Sequence, residues 1–406
     1  MPLDTSRRAL LLAAGVPGYP PPSEIDTGGV RDGRIQFPNW RSSVEAPSGA
    51  IQQPTPPGNR LGFAIVGLGR IALEEVLPAF AESRHARPVA LVSGSPDKAR
   101  LVAAQYGITE LQGYETFERL RDNPAVRAVY IALPNAMHRE FTQRAAAIGL
   151  HVLSEKPMAT SAADCQAMIV ACDAARVKLM VAYRSQYEPF NRAALALARS
   201  GDLGALRFIV ATNTQANGPG PQWRYNRALA GGGALPDIGI YGLNAARFYT
   251  GEEPVRLMGT AHSPPGDPRW REVEESIVFT LHFPSGVLAQ CLASYGAYNA
   301  KTLTLHFEGG SIEMPDAFAY RGHRLYVSRR AGAVPGREER MVRPRNQFAL
   351  EIDHFAQCVA QDRRPHTPGE EGLADQRIMD AIYRAAGSGS PEMLTATDPR
   401  RGPEPE

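Results

Sequence analysis

The fold of this chain is decided by one stretch, Leu61-Gly62-Phe63-Ala64-Ile65-Val66-Gly67-Leu68-Gly69-Arg70-Ile71-Ala72. A short apolar run typical of a buried strand breaks into two closely spaced glycines, and a helical pattern of apolar residues follows. Gly67 permits a sharp turn, Gly69 lets the backbone approach a pyrophosphate, and Ala72 lets the helix pack closely on the strand. The stretch therefore predicts a dinucleotide-binding turn, with cofactor contacts expected from Gly67, Leu68, Gly69, Arg70 and Ile71.

The end of the next predicted strand, 88–92, indicates which dinucleotide binds. It runs into Ser93-Gly94-Ser95, and no Asp or Glu stands where an NAD site usually binds the ribose 2′-hydroxyl. Serine hydroxyls can hydrogen-bond a 2′-phosphate, and Lys98 and Arg70 can neutralise its charge. We therefore predict NADP, bound by Ser93, Gly94 and Lys98. Taken singly, each of the two cations could instead be an ordinary solvated charge.

Composition and charge exclude several classes of protein. The 406 residues, 43% of them hydrophobic, suffice for two domains. A formal net charge of +2 provides no basic field for nucleic acid or a membrane surface, and no apolar run is long enough to span a bilayer. The nine histidines show no metal-ligand spacing, so no metal is expected. The cysteines are expected to be buried thiols: Cys165, Cys172, Cys291 and Cys358.

The first sixty residues differ from the rest of the chain. Residues 1–15 contain Arg7-Arg8 before an apolar segment, which is typical of a twin-arginine export signal and predicts a periplasmic protein. The alternative is a disordered basic start or a short surface helix on a cytoplasmic protein. Residues 16–60 are rich in proline and cannot form a packed domain. Apolar anchors such as Trp40 favour an extended arm over a flexible linker.

The remaining chain divides into two predicted domains and a tail. Residues 61–185 alternate strands and helices, which predicts an α/β Rossmann domain. Residues 186–387 change to strands joined by hairpins, with helices at 235–249 and 348–359 on one side, which predicts an α+β domain with a large, mostly antiparallel open sheet. Its other face lacks a covering segment, so we expect a homodimer or homotetramer formed through it. Residues 388–406 are expected to be disordered.

Two polar stretches follow strands of the first domain at the edge where a cofactor would bind. They are 133–138 and 155–157, and ligands of such sheets lie beyond the carboxyl ends of the strands. Lys156 would lie near the nicotinamide ring, where an ammonium can donate to a substrate hydroxyl. The simpler interpretation of Lys156 is a surface lysine at a strand end.

A second polar group opens a helix in the second domain. A glycine run at 231–233 precedes Asp237 and Tyr241, which are four residues apart and share one helical face. Oxidising a hydroxyl by hydride transfer requires a base, and a lysine cation stabilises a nearby phenolate. Lys156 and Tyr241 could therefore form the proton-transferring pair, with Asp237 orienting a second hydroxyl. Alternatively, Asp237 complements the helix dipole and Tyr241 packs in the core.

These residues resemble the glucose-fructose oxidoreductase and inositol dehydrogenase superfamily, in particular its glucose-fructose and aldose-aldose oxidoreductases. The resemblance covers about residues 61–387 and is carried by Gly67-Leu68-Gly69, Pro134-Asn135-Ala136-Met137-His138, Glu155-Lys156-Pro157-Met158-Ala159-Thr160, Tyr183-Arg184 and Asp237-Ile238-Gly239-Ile240-Tyr241-Gly242-Leu243-Asn244. It implies Lys156, Tyr241 and Asp237 as catalytic residues and a cis peptide before Pro157. Further cofactor contacts are expected from Leu133, Pro134, Asn135, His138, Glu155, Lys156, Tyr183, Arg184, Trp223 and Arg224.

The resemblance also implies tightly bound NADP that remains in place through two half-reactions. One sugar would be oxidised to a lactone and a second carbonyl sugar reduced to a polyol, while an arm folded over the adenine slows cofactor release. The segment from Gln215 to Trp223 is shorter than in glucose-fructose oxidoreductase, which favours an aldose acceptor over fructose. Two alternatives remain open: an NADP-dependent aldose dehydrogenase with exchangeable cofactor, and a non-catalytic NADP-binding regulator, which should lack the lysine and tyrosine pair.

Overall fold

The computed structural model describes residues 29–36, 60–218, 220, 222–331, 334–395 and 401–405. The predicted export signal and most of the proline-rich arm lie outside these residues. The described part of the arm is a hairpin of strands β1 Gly29–Arg31 and β2 Arg34–Gln36. Its turn residues, Asp32 and Gly33, both have positive φ, the conformation that matches the twist of a two-residue hairpin.

The first domain is a parallel sheet, as the sequence predicts. Its strands are β3 Leu61–Val66, β4 Ala86–Val92, β5 Glu110–Gln112, β6 Ala128–Ile131, β7 His151–Glu155 and β8 Leu179–Ala182. They lie in the order β5-β4-β3-β6-β7-β8, the doubly wound arrangement of dinucleotide-binding folds. The central strands are apolar and buried, because helices cover both faces of a parallel sheet.

The helices of this domain follow the predicted pattern with one difference. They are α1 Leu77–Glu82, α2 Pro96–Tyr106, α3 His138–Ala147 and α4 Ala162–Ala175, and α5 Pro189–Arg199 follows at the start of the second domain. A π-helical turn, Ala72–Val76, precedes α1. The sequence of residues 116–121 also predicts a helix, and the structure has a 3-10 turn there, Phe117–Asp122. β1 of the arm lies against α2.

The second domain is built on a nine-stranded sheet. Its strands are β9 Leu206–Thr214, β10 Arg256–His262, β11 Ser276–His282, β12 Leu288–Ser294, β13 Ala300–Phe307, β14 Gly310–Met314, β15 Tyr326–Ala331, β16 Val334–Glu339 and β17 Glu392–Met393. The order is β16-β15-β14-β13-β9-β12-β11-β10-β17, in which the pair of β9 and β12 is parallel and the others are antiparallel. The sequence predicts the central hairpins but not β15, β16 and β17.

Within the described residues, four α-helices follow β9. They are α6 Arg227–Ala230, α7 Ile240–Thr250, α8 Gln347–Ala360 and α9 Gly369–Ser388. A π-helical turn, Leu235–Gly239, leads into α7, which packs on β9 and β12. The prediction that α8 covers the second sheet is wrong. It packs on the first domain, where the Phe355 ring lies 6.0 Å from that of Phe63, because its apolar face completes the core beside α1.

The end of the chain is more ordered than its composition predicts. β17 pairs with β10 at the edge of the second sheet. Farther on, the Gly402 amide donates to the carbonyl oxygen of His366 at 3.1 Å, and Arg401 forms an ion pair with Glu371 at 3.0 Å. The prediction of disorder over 388–406 is therefore wrong for these two segments. Main-chain pairing holds the first segment, where Leu394 also packs against the apolar core, and the ion pair with buried Glu371 helps to hold the second.

One face of the second sheet exposes apolar side chains. Met258, Val278 and Leu292 are 41%, 36% and 36% exposed, and the last two are paired across β11 and β12. The four cysteines are free and buried, as predicted. Among the helices that the structure describes, none combines the length and the apolar character needed to cross a membrane.

Candidate active site

The turn after β3 leaves room for a pyrophosphate. Gly67 has a φ of 93°, and a Cβ there would lie 2.5 Å from the carbonyl oxygen of Ala132, so glycine is required. At Gly69 a Cβ would meet no described atom within 4 Å, which leaves the backbone open to a ligand. The Gly67 amide donates to the carbonyl oxygen of Val92 at 2.9 Å and fixes the turn against β4.

The residues expected at the 2′-phosphate lie together beyond the end of β4. Ser93 is buried, and its hydroxyl accepts a hydrogen bond from the Ser95 amide at 3.0 Å. Lys98 is fully buried, and its ammonium lies 3.4 Å from the carbonyl oxygen of Leu68 in the glycine turn. Arg70, predicted to share this role, forms an ion pair with Glu74 at 2.9 Å. Hydroxyls and a buried cation at this edge fit the 2′-phosphate of NADP.

The loop that carries Lys156 is held by a buried histidine. The peptide between Lys156 and Pro157 is cis, as the resemblance implies. The ring nitrogens of His138 lie 3.0 Å from the carbonyl oxygen of Pro157 and 2.8 Å from that of Leu133. Burial lowers the pKa of His138. His138, predicted to contact the cofactor, is therefore placed as a support that links this loop to the end of β6.

Other predicted cofactor residues are also engaged within the protein. Asn135 donates to a main-chain carbonyl oxygen of α6 at 2.8 Å. Leu133 is buried, and Pro134 precedes the short 3-10 turn after β6. The Glu155 carboxylate accepts from the hydroxyl of Tyr130 at 2.8 Å, and burial raises the pKa of this carboxyl. These contacts fix the edge of the sheet at which the nicotinamide is expected.

Lys156 lies between Asp237 and Tyr241. Its ammonium donates to the main-chain carbonyl oxygen of Asp237 at 2.7 Å and to the carboxylate Oδ1 at 3.2 Å. The same nitrogen lies 4.9 Å from the centre of the Tyr241 ring. Burial alone would lower the pKa of Lys156, but electrostatic attraction to Tyr241 and Asp237 outweighs it and raises the pKa, so the ammonium stays charged. The three residues predicted to be catalytic therefore meet in one place.

Asp237 is held from its other side by two further side chains. Its Oδ2 accepts from Arg224 Nε at 2.9 Å and from the Tyr295 hydroxyl at 2.7 Å. Burial would raise the pKa of Asp237, but the charges of Arg224 and Lys156 hold that pKa well below its usual range. The carboxylate is thus an acceptor at neutral pH and not a proton donor. Arg224, predicted as a cofactor contact, lies beside this carboxylate, with its guanidinium 4.5 Å from the Trp223 ring.

Tyr183 and Arg184 lie beside Tyr241. Arg184 is buried and donates to two main-chain carbonyl oxygens at 2.8 and 3.0 Å and to Gln347 Oε1 at 2.6 Å. Its guanidinium carbon lies 4.7 Å from the centre of the Tyr241 ring. Tyr183 lines a cavity together with Lys156 and Tyr241. Both residues predicted as cofactor contacts therefore contribute to the surroundings of Lys156 and Tyr241.

Sequence reasoning missed two residues that shape the site. Tyr295 directly follows β12. The only indication of its role in the sequence is that a polar side chain stands at the end of a strand. Glu274 precedes β11, and its carboxylate accepts from the amides of Gly233 and Leu235, both at 2.9 Å. Glu274 thereby holds the start of the π-helical turn that carries Asp237. No cluster of His, Cys, Asp and Glu suited to a metal ion is found within the described ranges.

Known proteins share both domains with this chain. Residues 61–183 match the oxidoreductase family with an NAD-binding Rossmann fold, and residues 191–313 match the GFO/IDH/MocA C-terminal domain. The crystal structure of aldose-aldose oxidoreductase from Caulobacter crescentus, complexed with glycerol, is 46% identical. That likeness covers 82% of this chain and 100% of the other, with a TM-score of 0.79.

Two curated enzymes are similar over most of their length. D-xylose 1-dehydrogenase (NADP(+)) of Haloarcula marismortui is 32% identical over 82% of this chain and 93% of its own. A dTDP-3,4-didehydro-2,6-dideoxy-alpha-D-glucose 3-reductase of Streptomyces violaceoruber is 33% identical over 80% of this chain and 95% of its own. The chain therefore belongs to the glucose-fructose oxidoreductase and inositol dehydrogenase (GFO/IDH/MocA) family of NAD(P)-dependent sugar oxidoreductases.

Proposed function

We propose that this protein oxidises an aldose at C1 to the aldonolactone and passes the hydride through tightly bound NADP to a second sugar, which leaves as an alditol. The position of Lys156 between Asp237 and Tyr241 carries the proposal. The 46% identity to an aldose-aldose oxidoreductase supports aldoses as both substrates. NADP supplies the hydride acceptor for the first half-reaction and the hydride donor for the second.

The three side chains divide the remaining chemistry. Tyr241 takes the proton of the C1 hydroxyl as hydride leaves the same carbon, and it returns that proton to the carbonyl oxygen of the second sugar. The Lys156 cation stabilises the Tyr241 phenolate between these steps. Asp237 holds the ammonium and accepts a hydrogen bond from a neighbouring sugar hydroxyl. One proton and one hydride are released and consumed, so the two half-reactions balance.

The hairpin of the N-terminal arm supports retention of NADP. It lies against α2, which begins beside the predicted 2′-phosphate residues and contains Lys98. A segment folded over this end of the nucleotide must move before the nucleotide can leave, and such a step slows dissociation.

Mass spectrometry of the denatured, freshly purified protein tests this retention. We expect it to release NADP(H), and we expect a mixture of aldoses with no added nucleotide to give equal amounts of lactone and alditol. An empty protein that oxidises aldose only with added NADP would be an aldose dehydrogenase with exchangeable cofactor, the alternative that the xylose dehydrogenase relative favours. A protein unable to bind NADP would overturn both.

The variant Tyr241→Phe tests the assigned base. We expect kcat to fall about 10²- to 10⁴-fold, the usual contribution of general acid–base catalysis, with the NADP content unchanged. Tyr326→Phe, on β15, is the control and should keep full activity. Unchanged turnover in Tyr241→Phe would remove this residue as the base, and a non-catalytic regulator would show no turnover even in the wild type.

We also propose that the exposed face of the second sheet joins copies of this chain into a homodimer or homotetramer. Met258, Val278 and Leu292 form an apolar patch on three neighbouring strands of that face. Leu292→Glu would place a charge in the interface and should yield monomers in size-exclusion chromatography with light scattering. A monomeric wild type would contradict the proposal.

The first fifteen residues suggest export to the periplasm by the twin-arginine route, which carries proteins already folded with their cofactor. We expect the native host to hold the protein in its periplasmic fraction. Recovery from the cytoplasm with Met1 retained would support the cytoplasmic alternative.

A further inference from the structure

A buried cluster of charges lies behind the cavity of the active site. Arg247, on α7, is fully buried and contacts three carboxylates. Its guanidinium donates to Glu253 through two bonds of 2.6 Å, to Asp375 at 2.6 Å and to Glu371 at 3.0 Å. One cation thus faces three acids, and an uncompensated buried charge destabilises a protein strongly.

A second cation of this cluster comes from the end of the chain. Arg401 is 11% exposed, and its Nε and Nη2 donate to Oε1 of Glu371 at 3.1 and 3.0 Å. Its Nη1 donates to the main-chain carbonyl oxygen of Arg247 at 3.2 Å. Because the Gly402 amide is bonded to His366, the backbone next to Arg401 is also fixed.

Glu371 connects Arg401 to the wall of the cavity. The same Oε1 accepts from Gln186 Nε2 at 3.2 Å and from Asn244 Nδ2 at 3.1 Å. These two amides are buried, hydrogen-bond each other at 2.8 Å and line the cavity of the catalytic pair. Asn244 lies three residues after Tyr241 on α7, so both project from neighbouring positions of one helix.

We propose that Arg401 is a positioning residue, which through Glu371 fixes Gln186 and Asn244 and thereby the cavity wall beside Tyr241. Without Arg401, Arg247 is the one guanidinium that still contacts Glu371. The Oε1 atom of Glu371, which orients the amides of Gln186 and Asn244, then loses its strongest donors. The kinetic consequence rests on the proposed sugar oxidation, whereas the placement of the two amides does not.

The full-length variant Arg401→Gln tests the proposal, with Glu404→Gln as the matched control. Glu404 belongs to the same segment but pairs with Arg192 and Arg199. We expect R401Q to retain NADP while its KM for the aldose rises about tenfold, with a smaller change in kcat, because the wall that positions the sugar is displaced. E404Q should keep both constants within about twofold, as is usual for a surface ion pair. Arg401→Lys, which restores the charge, should recover part of the lost affinity.

A crystal structure of R401Q decides the structural step without any turnover. Displaced Gln186 and Asn244 side chains would support the proposal, and wild-type positions would overturn it. If R401Q loses thermal stability as E404Q does and keeps its KM, Arg401 only fastens the end of the chain and the proposal is wrong. A wild-type protein that converts no sugar would overturn the proposed function, and the crystal structure would still decide the role of Arg401.

Discussion

The hydroxyl of Tyr295 donates a 2.7 Å hydrogen bond to Oδ2 of Asp237. One oxygen of this carboxylate therefore faces the Lys156 ammonium, and the other is shared by Tyr295 and Arg224. Lys156, Arg224 and Tyr295 all donate hydrogen bonds to this carboxylate. The charged group therefore cannot rotate without breaking some of these bonds. Lys156 of the first domain, the proposed catalytic lysine, is thus positioned by side chains of the second.

Replacing Tyr295 by Phe should lower kcat about ten- to a hundredfold, since a hydrogen bond to a charged group contributes about 1.5–3 kcal/mol. Steady-state oxidation of an aldose measures the effect. Tyr106→Phe is the control, because its buried hydroxyl makes no hydrogen bond to a described residue, and it should behave as the wild type. A Tyr295→Phe enzyme with unchanged kcat would show that Asp237 holds Lys156 without this donor.

The variant Lys98→Met should weaken NADP binding by about one to two orders of magnitude and leave NAD binding unchanged, because a buried cation is lost from the 2′-phosphate. Methionine keeps the length of the buried side chain. Calorimetric titration of nucleotide-free protein with both nucleotides measures the difference. Lys178→Met, which breaks an ion pair with Asp362, is the control. Equal weakening of NADP and NAD would mean that Lys98 only supports the glycine turn.

Glu274→Gln should destabilise the protein by about 1–3 kcal/mol and lower kcat, because an amide nitrogen replaces one of the two oxygens that accept from Gly233 and Leu235. NADP affinity should not change. Urea unfolding and sugar kinetics measure the two effects. Glu252→Gln is the control, because the wild-type Glu252 carboxylate accepts a hydrogen bond from the Ser285 amide at an exposed site. A loss of stability with normal kcat would separate Glu274 from the placement of Asp237.

His354 makes the stability of the fold sensitive to acid. Burial, together with His366, lowers the pKa of His354 to about 3, and its Nε2 accepts from the His366 amide at 2.9 Å. In the unfolded chain the pKa of a histidine is about 6.5. The neutral His354 ring therefore contributes its full stabilisation of the fold above pH 6.5, and this stabilisation is lost as the pH falls towards 3. At pH 5 the loss is about 2 kcal/mol relative to pH 7.

His354→Gln keeps an acceptor for the His366 amide but cannot take up a proton. The free energy of unfolding is measured in urea at pH 7 and at pH 5. Its decrease between these two pH values should be about 2 kcal/mol smaller in this variant than in the wild type. His306→Gln, at an exposed position, should leave the pH dependence unchanged. An unchanged pH dependence in His354→Gln would contradict the assignment of a buried neutral ring.

Local patterns were enough to predict the nucleotide-binding domain and to select Lys156, Asp237 and Tyr241, which the structure brings together. The glycine turn at 67–69 follows from sterics within a few residues, and alternation of strands and helices determines a parallel sheet. Asp237 and Tyr241 stand four residues apart where a helix begins, and Lys156 directly follows a strand at the edge where ligands of such sheets bind. Each of these features depends on residues close together in the chain.

Only the tertiary structure decided which distant side chains meet. The apolar face of α8 predicts that this helix is buried, but it does not predict which domain the helix packs against. Arg224 forms an ion pair with Asp237, and Arg401 reaches a buried carboxylate from a segment with the composition of a disordered tail. Hydrophobic periodicity shows which face of a helix or strand is buried. A hydrogen bond or ion pair between distant segments leaves no such repeating pattern in the sequence. Its partner is set by how the whole chain packs.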